Sequence, residues 1–230
     1  MERAVGQPSA VVLLSGGLDS ATCLAIASKD FEVYALTFDY GSRHSREITR
    51  AKSLAAHYEV KNHTIMKIEL NAISGSSLTD FDIPVEHKPI NEIGKSIPSS
   101  YVPARNLTFL SLGIALAEVV GARKVFIGVN SVDYSGYPDC RPEFIAAFQK
   151  AAAVGTRAGA EGKPIAIETP LLHLSKADII KKGHSLGVPF EMTWSCYTGE
   201  KKPCGKCESC RLRLEGFREA GMVDPVEYQH

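Results

Sequence analysis

A chain of 230 residues fits one domain with at most a small appendage, and it can bury a substantial core. Apolar residues at 44% and charged residues at 23% are ordinary for a soluble globular protein, and no apolar run reaches the roughly 18 residues of a membrane span. The 26 basic residues balance 26 acidic ones, so the formal net charge is zero, which argues against a stable grip on nucleic acid and for small-molecule partners. Residues 1–10 lack the apolar centre of a secretion signal, and a cytoplasmic location is expected.

In chain order, Ala10-Val11-Val12-Leu13-Leu14 is a continuous apolar run, the mark of a strand buried on both faces. Ser20 is placed to cap a helix through Ser28, with Cys23, Leu24 and Ala27 on its inner stripe. Phe31 to Phe38 reads as a second buried strand, Ser45 to Tyr58 as a charged helix, and Val60 to Ile68 as a third strand. Residues 71–100 lose all periodicity and read as a mobile cover over a site. A helix from Arg105 to Val120 ends at Gly121, and Lys124 to Gly128 is the next buried strand. A polar loop from Asn130 to Arg141 precedes a helix from Glu143 to Ala153, a short strand at Ile165 to Ile167 and a helix from Ser175 to Leu186. A last helix spans Glu208 to Ala220. This alternation spells an α/β fold around a parallel sheet with right-handed crossovers.

In such a sheet ligands bind beyond the carboxyl ends of the strands, where Ser15-Gly16-Gly17-Leu18-Asp19-Ser20 stands. The two glycines let backbone N–H groups approach an anion, the following helix offers its positive end, and Ser15 and Ser20 add hydroxyls. Asp19 suits a phosphate only with a cation between them, which magnesium bound to pyrophosphate would supply. The Gly-Lys-Ser/Thr ending of a Walker A loop is missing. The hexapeptide resembles instead the SGGxDS loop of the pyrophosphate-loop ATPases, which transfer AMP to a substrate oxygen. That resemblance implies a Rossmann-like sheet of the adenine-nucleotide hydrolase-like type. It also implies ATP contacts along Leu14, Ser15, Gly16, Gly17, Leu18, Asp19, Ser20, Ala21, Thr22, Cys23 and Leu24.

Cys196, Cys204, Cys207 and Cys210 follow the spacing C-x7-C-x2-C-x2-C. Four thiolates at about 2.3 Å from one ion make a closed tetrahedral zinc site with no water left to activate, hence a structural one. A redox pair and an iron–sulfur cluster remain alternatives. Cys23 reads as a small core residue, and Cys140 as either a bystander or a substrate neighbour.

Three further stretches, Tyr40-Gly41-Ser42-Arg43-His44, Val102-Pro103-Ala104-Arg105-Asn106 and Asp133-Tyr134-Ser135-Gly136-Tyr137-Pro138-Asp139-Cys140-Arg141, complete the picture. With the loop and the cysteines, nearly the whole chain resembles the 7-cyano-7-deazaguanine synthases, ligases of the queuosine and archaeosine pathways. Two departures stand out: Ser42 replaces the family's usual Gln, and Ala104 its frequent Gly. The resemblance implies conversion of 7-carboxy-7-deazaguanine, ammonium and ATP to the 7-nitrile through adenylated intermediates and an amide. It further implies one structural Zn2+ per chain, Mg2+ with ATP, and a homodimer. Asp19, Ser20, Arg105 and Lys176 are the expected catalytic residues, and Asp39 and Arg43 further ATP contacts. Arg105, Asp133, Tyr134, Tyr137 and Asp139 are the expected deazapurine contacts. Alternatively, Arg43 and Arg105 are salt-bridge partners, Lys176 is solvated, and the Asp133–Arg141 stretch is a packed turn. His44 is a candidate through its neighbours. The expected division is an ATP-pyrophosphatase-like domain at 1–190 and a zinc-binding helical segment at 191–230. The alternative functions are a tRNA-modifying pyrophosphate-loop enzyme, or a non-catalytic nucleotide-sensing or zinc-knuckle module.

Overall fold

A computed structural model describes residues 7–43, 46–73, 75–132, 136–198 and 201–229, with the backbone alone at Asn91. Five strands, β1 (Ser9–Leu13), β2 (Glu32–Asp39), β3 (Asn62–Lys67), β4 (Lys124–Phe126) and β5 (Ala166–Glu168), form one sheet in the order β3-β2-β1-β4-β5. Every neighbouring pair is parallel. The helices are α1 (Leu18–Asp30), α2 (Arg46–His57), α3 (Arg105–Val120), α4 (Pro142–Gly155), α5 (Arg157–Ala160), α6 (Lys176–Ser185) and α7 (Glu208–Glu219).

The apolar run of β1 divides between two cores because successive side chains leave opposite faces of a strand. Ala10, Val12 and Leu14 join α1, α2, α6 and α7 through Leu24, Leu54, Ile180 and Phe217. Val11 and Leu13 join α3 and α4 through Leu110, Ile114 and Ile145. The sheet is thus covered on both faces, as parallel sheets require. The connections reverse direction at β1, which lies between β2 and β4, and that reversal opens a crevice beyond the strand ends. No described helix is long and apolar enough to cross a membrane.

Three local expectations change. First, α1 begins at Leu18, with Gly17 as its N-cap, so Ser20 lies inside the first turn and does not cap it. Its hydroxyl turns back to donate to the Gly17 carbonyl at 3.0 Å instead. Second, part of the expected mobile cover is a built wall. Ser76, Ser77, Leu78 and Thr79 are buried, and two 3-10 turns, Leu70–Ala72 and Ile90–Glu92, interrupt the segment. Third, α5 was not expected; it is a single turn capped by Thr156, whose side chain accepts from the Gly159 N–H. The expected end at Gly121 holds, with φ 70°, and Gly187 takes the same value just beyond α6.

The C-terminal segment does not hang free. α7 packs on α6, where Gly216 leaves room for Lys176: a methyl group at Gly216 would stand 2.4 Å from Lys176 Cγ. Arg213 is buried and ties α7 to the tail through both carboxylate oxygens of Asp224 at 2.7 and 2.9 Å.

Candidate functional site

The crevice is a cavity whose floor is the ends of β1, β2 and β4: Leu13 and Leu14, Leu36 and Phe38, and Ile127 to Val129. The Ser15–Ser20 loop forms one side. Gly16 takes φ 90°, a conformation that strains any residue with a Cβ, and a Cβ there would also stand 2.2 Å from the Glu47 carbonyl oxygen. Ser15 Oγ donates to Ser20 Oγ at 3.0 Å and accepts from the Gly17 N–H at 3.2 Å. The loop is therefore held in shape by its own hydroxyls and the Gly17 N–H, groups the sequence suggested for phosphate. What is left for an anion is the start of α1, which has no capping side chain. The first-turn N–H groups of Leu18, Asp19 and Ser20 have no intrahelical acceptor, and all three residues line the cavity.

Lys176, at the N-terminus of α6, reaches the cavity and places Nζ 2.8 Å from each carboxylate oxygen of Asp19. Gly128, two residues beyond β4, permits the close approach of that segment to the first turn of α1, since a Cβ on it would meet the Asp19 carbonyl carbon at 3.0 Å.

Arg105 faces the cavity from the start of α3 and donates from Nη1 to the Tyr40 hydroxyl at 3.2 Å. Burial works against its charge, but the surrounding Tyr40, Tyr137 and Asp139 groups outweigh burial and hold the guanidinium protonated. The preceding residue, Ala104, has φ 56° and ψ 21°, the left-handed conformation in which a glycine would be unstrained. Tyr137 and Cys140 line the same cavity. Tyr137 shares a 2.7 Å hydrogen bond with the buried Ser100. Asp139 sits behind them, accepting the Asn106 N–H at 2.9 Å, while its other oxygen is buried without a partner among the described residues. Burial, reinforced by Asp139, pushes the Cys140 thiol up to about 12, so it is no ready nucleophile at neutral pH.

Several expected contacts fall elsewhere. Ala21, Thr22, Cys23 and Leu24 are buried inside α1 and do not line the cavity, because the helix turns away from the loop into the core. Gly16 shapes the loop from behind, and Asp39 closes β2 outside the lining. Arg43 lines the cavity, but its guanidinium is committed to three carbonyls, of Ser77, Asp80 and Ile83, at 2.6 to 2.9 Å. It thereby anchors the 76–83 wall through Nε and Nη2. Asp133, Tyr134 and His44 lie outside the described residues.

Sequence reasoning missed Glu47, Ser195 and Tyr197, all in the cavity wall. Glu47 stands in the first turn of α2, three residues past the Tyr40–His44 stretch, so its position was the available signal. Burial raises its carboxyl to about 7 against the pull of Arg105. Ser195 and Tyr197 flank Cys196, and only the folded cysteine cluster brings them here.

That cluster is compact: the four sulfur atoms of Cys196, Cys204, Cys207 and Cys210 lie within 4.8 Å of one another, and all four residues are buried. Backbone N–H groups converge on the sulfurs, those of Thr198 and Cys204 on Cys196 Sγ and those of Lys206 and Cys207 on Cys204 Sγ, at 3.3 to 3.4 Å. Such donors favour thiolates, and the donor set can chelate a metal ion. The Trp194 backbone N–H donates to the Gly16 carbonyl at 2.9 Å, so the cluster is pinned to the loop.

The sequence model of the queuosine biosynthesis protein QueC family matches residues 9–221. The chain is 56% identical over 220 residues to 7-cyano-7-deazaguanine synthase 2 of Desulfitobacterium hafniense (strain Y51), covering 95% of this chain and 92% of that protein. It is 54% identical over 221 residues to the 7-cyano-7-deazaguanine synthase of Acetivibrio thermocellus, covering 95% and 97%. The corresponding enzyme of Thermoplasma volcanium is 53% identical over 220 residues, covering 95% and 90%. A pyrophosphate loop, a four-cysteine cluster and similarity along nearly the whole chain agree: the chain belongs to the QueC family of 7-cyano-7-deazaguanine synthases.

Proposed function

We propose that this chain is a cytoplasmic ATP-dependent carbon–nitrogen ligase that converts 7-carboxy-7-deazaguanine and ammonium into 7-cyano-7-deazaguanine. The observation that carries the reading is that the Ser15–Ser20 loop, Lys176, Arg105 and Tyr137 open on one cavity. A carboxylate does not exchange oxygen for ammonia, because that oxygen is a poor leaving group. Attack of the carboxylate oxygen on the α-phosphorus of ATP makes it leave as AMP. The first-turn N–H groups of α1 and Lys176 receive the charge of the departing pyrophosphate. Ammonia then yields the amide, and a second activation, of the amide oxygen, permits loss of that oxygen to give the nitrile.

In this reading Arg105 fixes the substrate carboxylate, and Tyr137 supplies a face for the flat deazapurine. Asp133 and Tyr134 read ring N–H donors, while Asp139, behind the wall, holds the start of α3 by accepting the Asn106 N–H. Asp19 would hold the Mg2+ that accompanies ATP, a role that fits a hard carboxylate beside a phosphate site; that ion supplies charge neutralisation. Cys196, Cys204, Cys207 and Cys210 would hold Zn2+. Their mutual spacing suits the sulfur–sulfur edge of about 3.8 Å implied by tetrahedral bonds of about 2.3 Å. That ion supplies a cross-link of the C-terminal segment.

The functional unit is proposed as a homodimer without a stable nucleic-acid partner, with a division between residues 190 and 191. Incubating the purified chain with the carboxylate, ammonium chloride and Mg-ATP should give the nitrile by mass spectrometry. The absence of any ATP-dependent product would remove the reading.

A further inference from the structure

Ammonia is almost entirely ammonium at neutral pH, and ammonium has no lone pair with which to attack a carboxyl carbon. A proton must leave before the carbon–nitrogen bond forms. Asp19 and Glu47 are the carboxylates among the described residues lining the cavity, and no described histidine lines it. Asp19 is bound by Lys176 on both oxygens and, in the ligase reading, is committed to the Mg2+ that accompanies ATP. Cys140 is a buried thiol that accepts from Asn106 Nδ2 at 3.4 Å.

Glu47 is left. No described group hydrogen-bonds its carboxylate, whose neighbour of opposite charge is Arg105. Its backbone carbonyl lies against Gly16, which places it beside the phosphate loop, and its helix begins where the cavity wall passes from Tyr40 and Ser42 to Ile48. An acceptor without a partner among the described residues, in the wall of the cavity that the phosphate loop and the arginine assigned to the substrate carboxylate also line, suits a small donor-only cation.

We propose that Glu47 binds ammonium and is the general base of the amide-forming step, an assignment that rests on the ligase reading above. The carboxylate takes one proton from ammonium, and the freed electron pair forms the bond from nitrogen to the activated carboxyl carbon. The bond from that carbon to the adenylate oxygen breaks with its pair leaving on AMP. A second N–H proton passes to solvent, and the amide remains.

The test uses the full chain carrying Glu47→Gln or Glu47→Asp. Three rates are compared: carboxylate-dependent exchange of labelled pyrophosphate into ATP, turnover against ammonium concentration, and turnover with hydroxylamine. Hydroxylamine is uncharged at neutral pH and attacks without a base. For Glu47→Gln, ammonium turnover should fall by roughly 10²–10⁴, the usual contribution of a general base. Pyrophosphate exchange should stay within about threefold of the unsubstituted chain, since it precedes ammonia. Hydroxylamine should recover most of the loss, and Glu47→Asp should keep part of the ammonium turnover. Equal losses with both nucleophiles overturn the proposal. So do unchanged ammonium kinetics, or a raised magnesium requirement at an unaltered KM for ammonium. If the unsubstituted chain shows neither exchange nor nitrile, the ligase reading itself fails and the role of Glu47 goes with it; Glu47→Asp serves if Glu47→Gln does not fold.

Discussion

Lys176 Nζ lies 2.8 Å from both carboxylate oxygens of Asp19, a pairing across 157 residues that brings the N-terminus of α6 onto the phosphate loop. With side-chain exposures of 8% and 19%, the two charges depend on each other when no nucleotide is present. Lys176→Met should therefore lower stability by about 2 kcal/mol, less than the roughly 3–5 kcal/mol for orphaning a fully buried charge, because Asp19 retains some water. Asp19→Asn should keep the fold but reduce turnover by about 100-fold or more, through loss of charge at the pyrophosphate site. The double variant should regain much of the stability that Lys176→Met alone loses, measured as the coupling in a denaturant double-mutant cycle. Strict additivity would show that the pair is not coupled.

Gly216 on α7 gives Lys176 its path. A methyl group there would lie 2.4 Å from Lys176 Cγ and 2.9 Å from Ile180 Cδ1, within a core that has no slack. Gly216→Ala should destabilise by about 1–3 kcal/mol and depress turnover as well, because the displaced stem pulls Nζ from Asp19. Gly155→Ala, where nothing stands within 4 Å, is the matched control; it should leave turnover unchanged and raise the thermal midpoint slightly, since alanine restricts the unfolded chain. A turnover loss in the control as large as at Gly216 would break the argument.

The phosphate loop and the cysteine cluster were legible because each is a local pattern whose chemistry is fixed by spacing. The strands of β1 and β2 were legible because burial on both faces demands unbroken apolar runs. Ser195 and Tyr197 were not, since neither belongs to a periodic element and each reaches the cavity only through the long-range closure at Cys196. Arg43 was half legible: the sequence shows a cation in a functional stretch, which does line the cavity, but not the three carbonyls that hold its Nε and Nη2. Glu47 stood close to the Tyr40–His44 stretch but among the many charges of an exposed-looking helix, and the fold singles it out by turning the first turn of that helix to the cavity.

The cysteine cluster should matter to the phosphate loop, because Trp194 links them: its backbone N–H donates to the Gly16 carbonyl and its indole N–H to the Cys196 carbonyl. Trp194 is the single tryptophan and is 2% exposed, so its fluorescence reports the link directly. Metal removal by a chelator, or Cys204→Ala, should shift Trp194 emission to the red and weaken nucleotide binding by about tenfold, since ion and segment fold together. Re-addition of zinc should reverse both changes in the chelated protein. Emission that moves while nucleotide affinity stays fixed would show that the cluster fastens the tail without supporting the loop.

Ala104 is held at φ 56° immediately before Arg105, where the chain turns from the buried Val102 into α3. A left-handed conformation costs an alanine about 1–2 kcal/mol, which a glycine would not incur. Glycine also adds freedom to the unfolded chain, returning about 0.4–1 kcal/mol of that gain. Ala104→Gly should therefore stabilise the protein by about 0.5–1 kcal/mol, seen as a higher denaturant midpoint at an unchanged m-value. Turnover should be retained, because Arg105 keeps its bond to Tyr40 whichever residue makes the turn. A lower midpoint would mean that the alanine methyl contributes packing worth more than the strain it imposes. The substitution thus decides whether the departure from glycine here is a tolerated cost or a local gain.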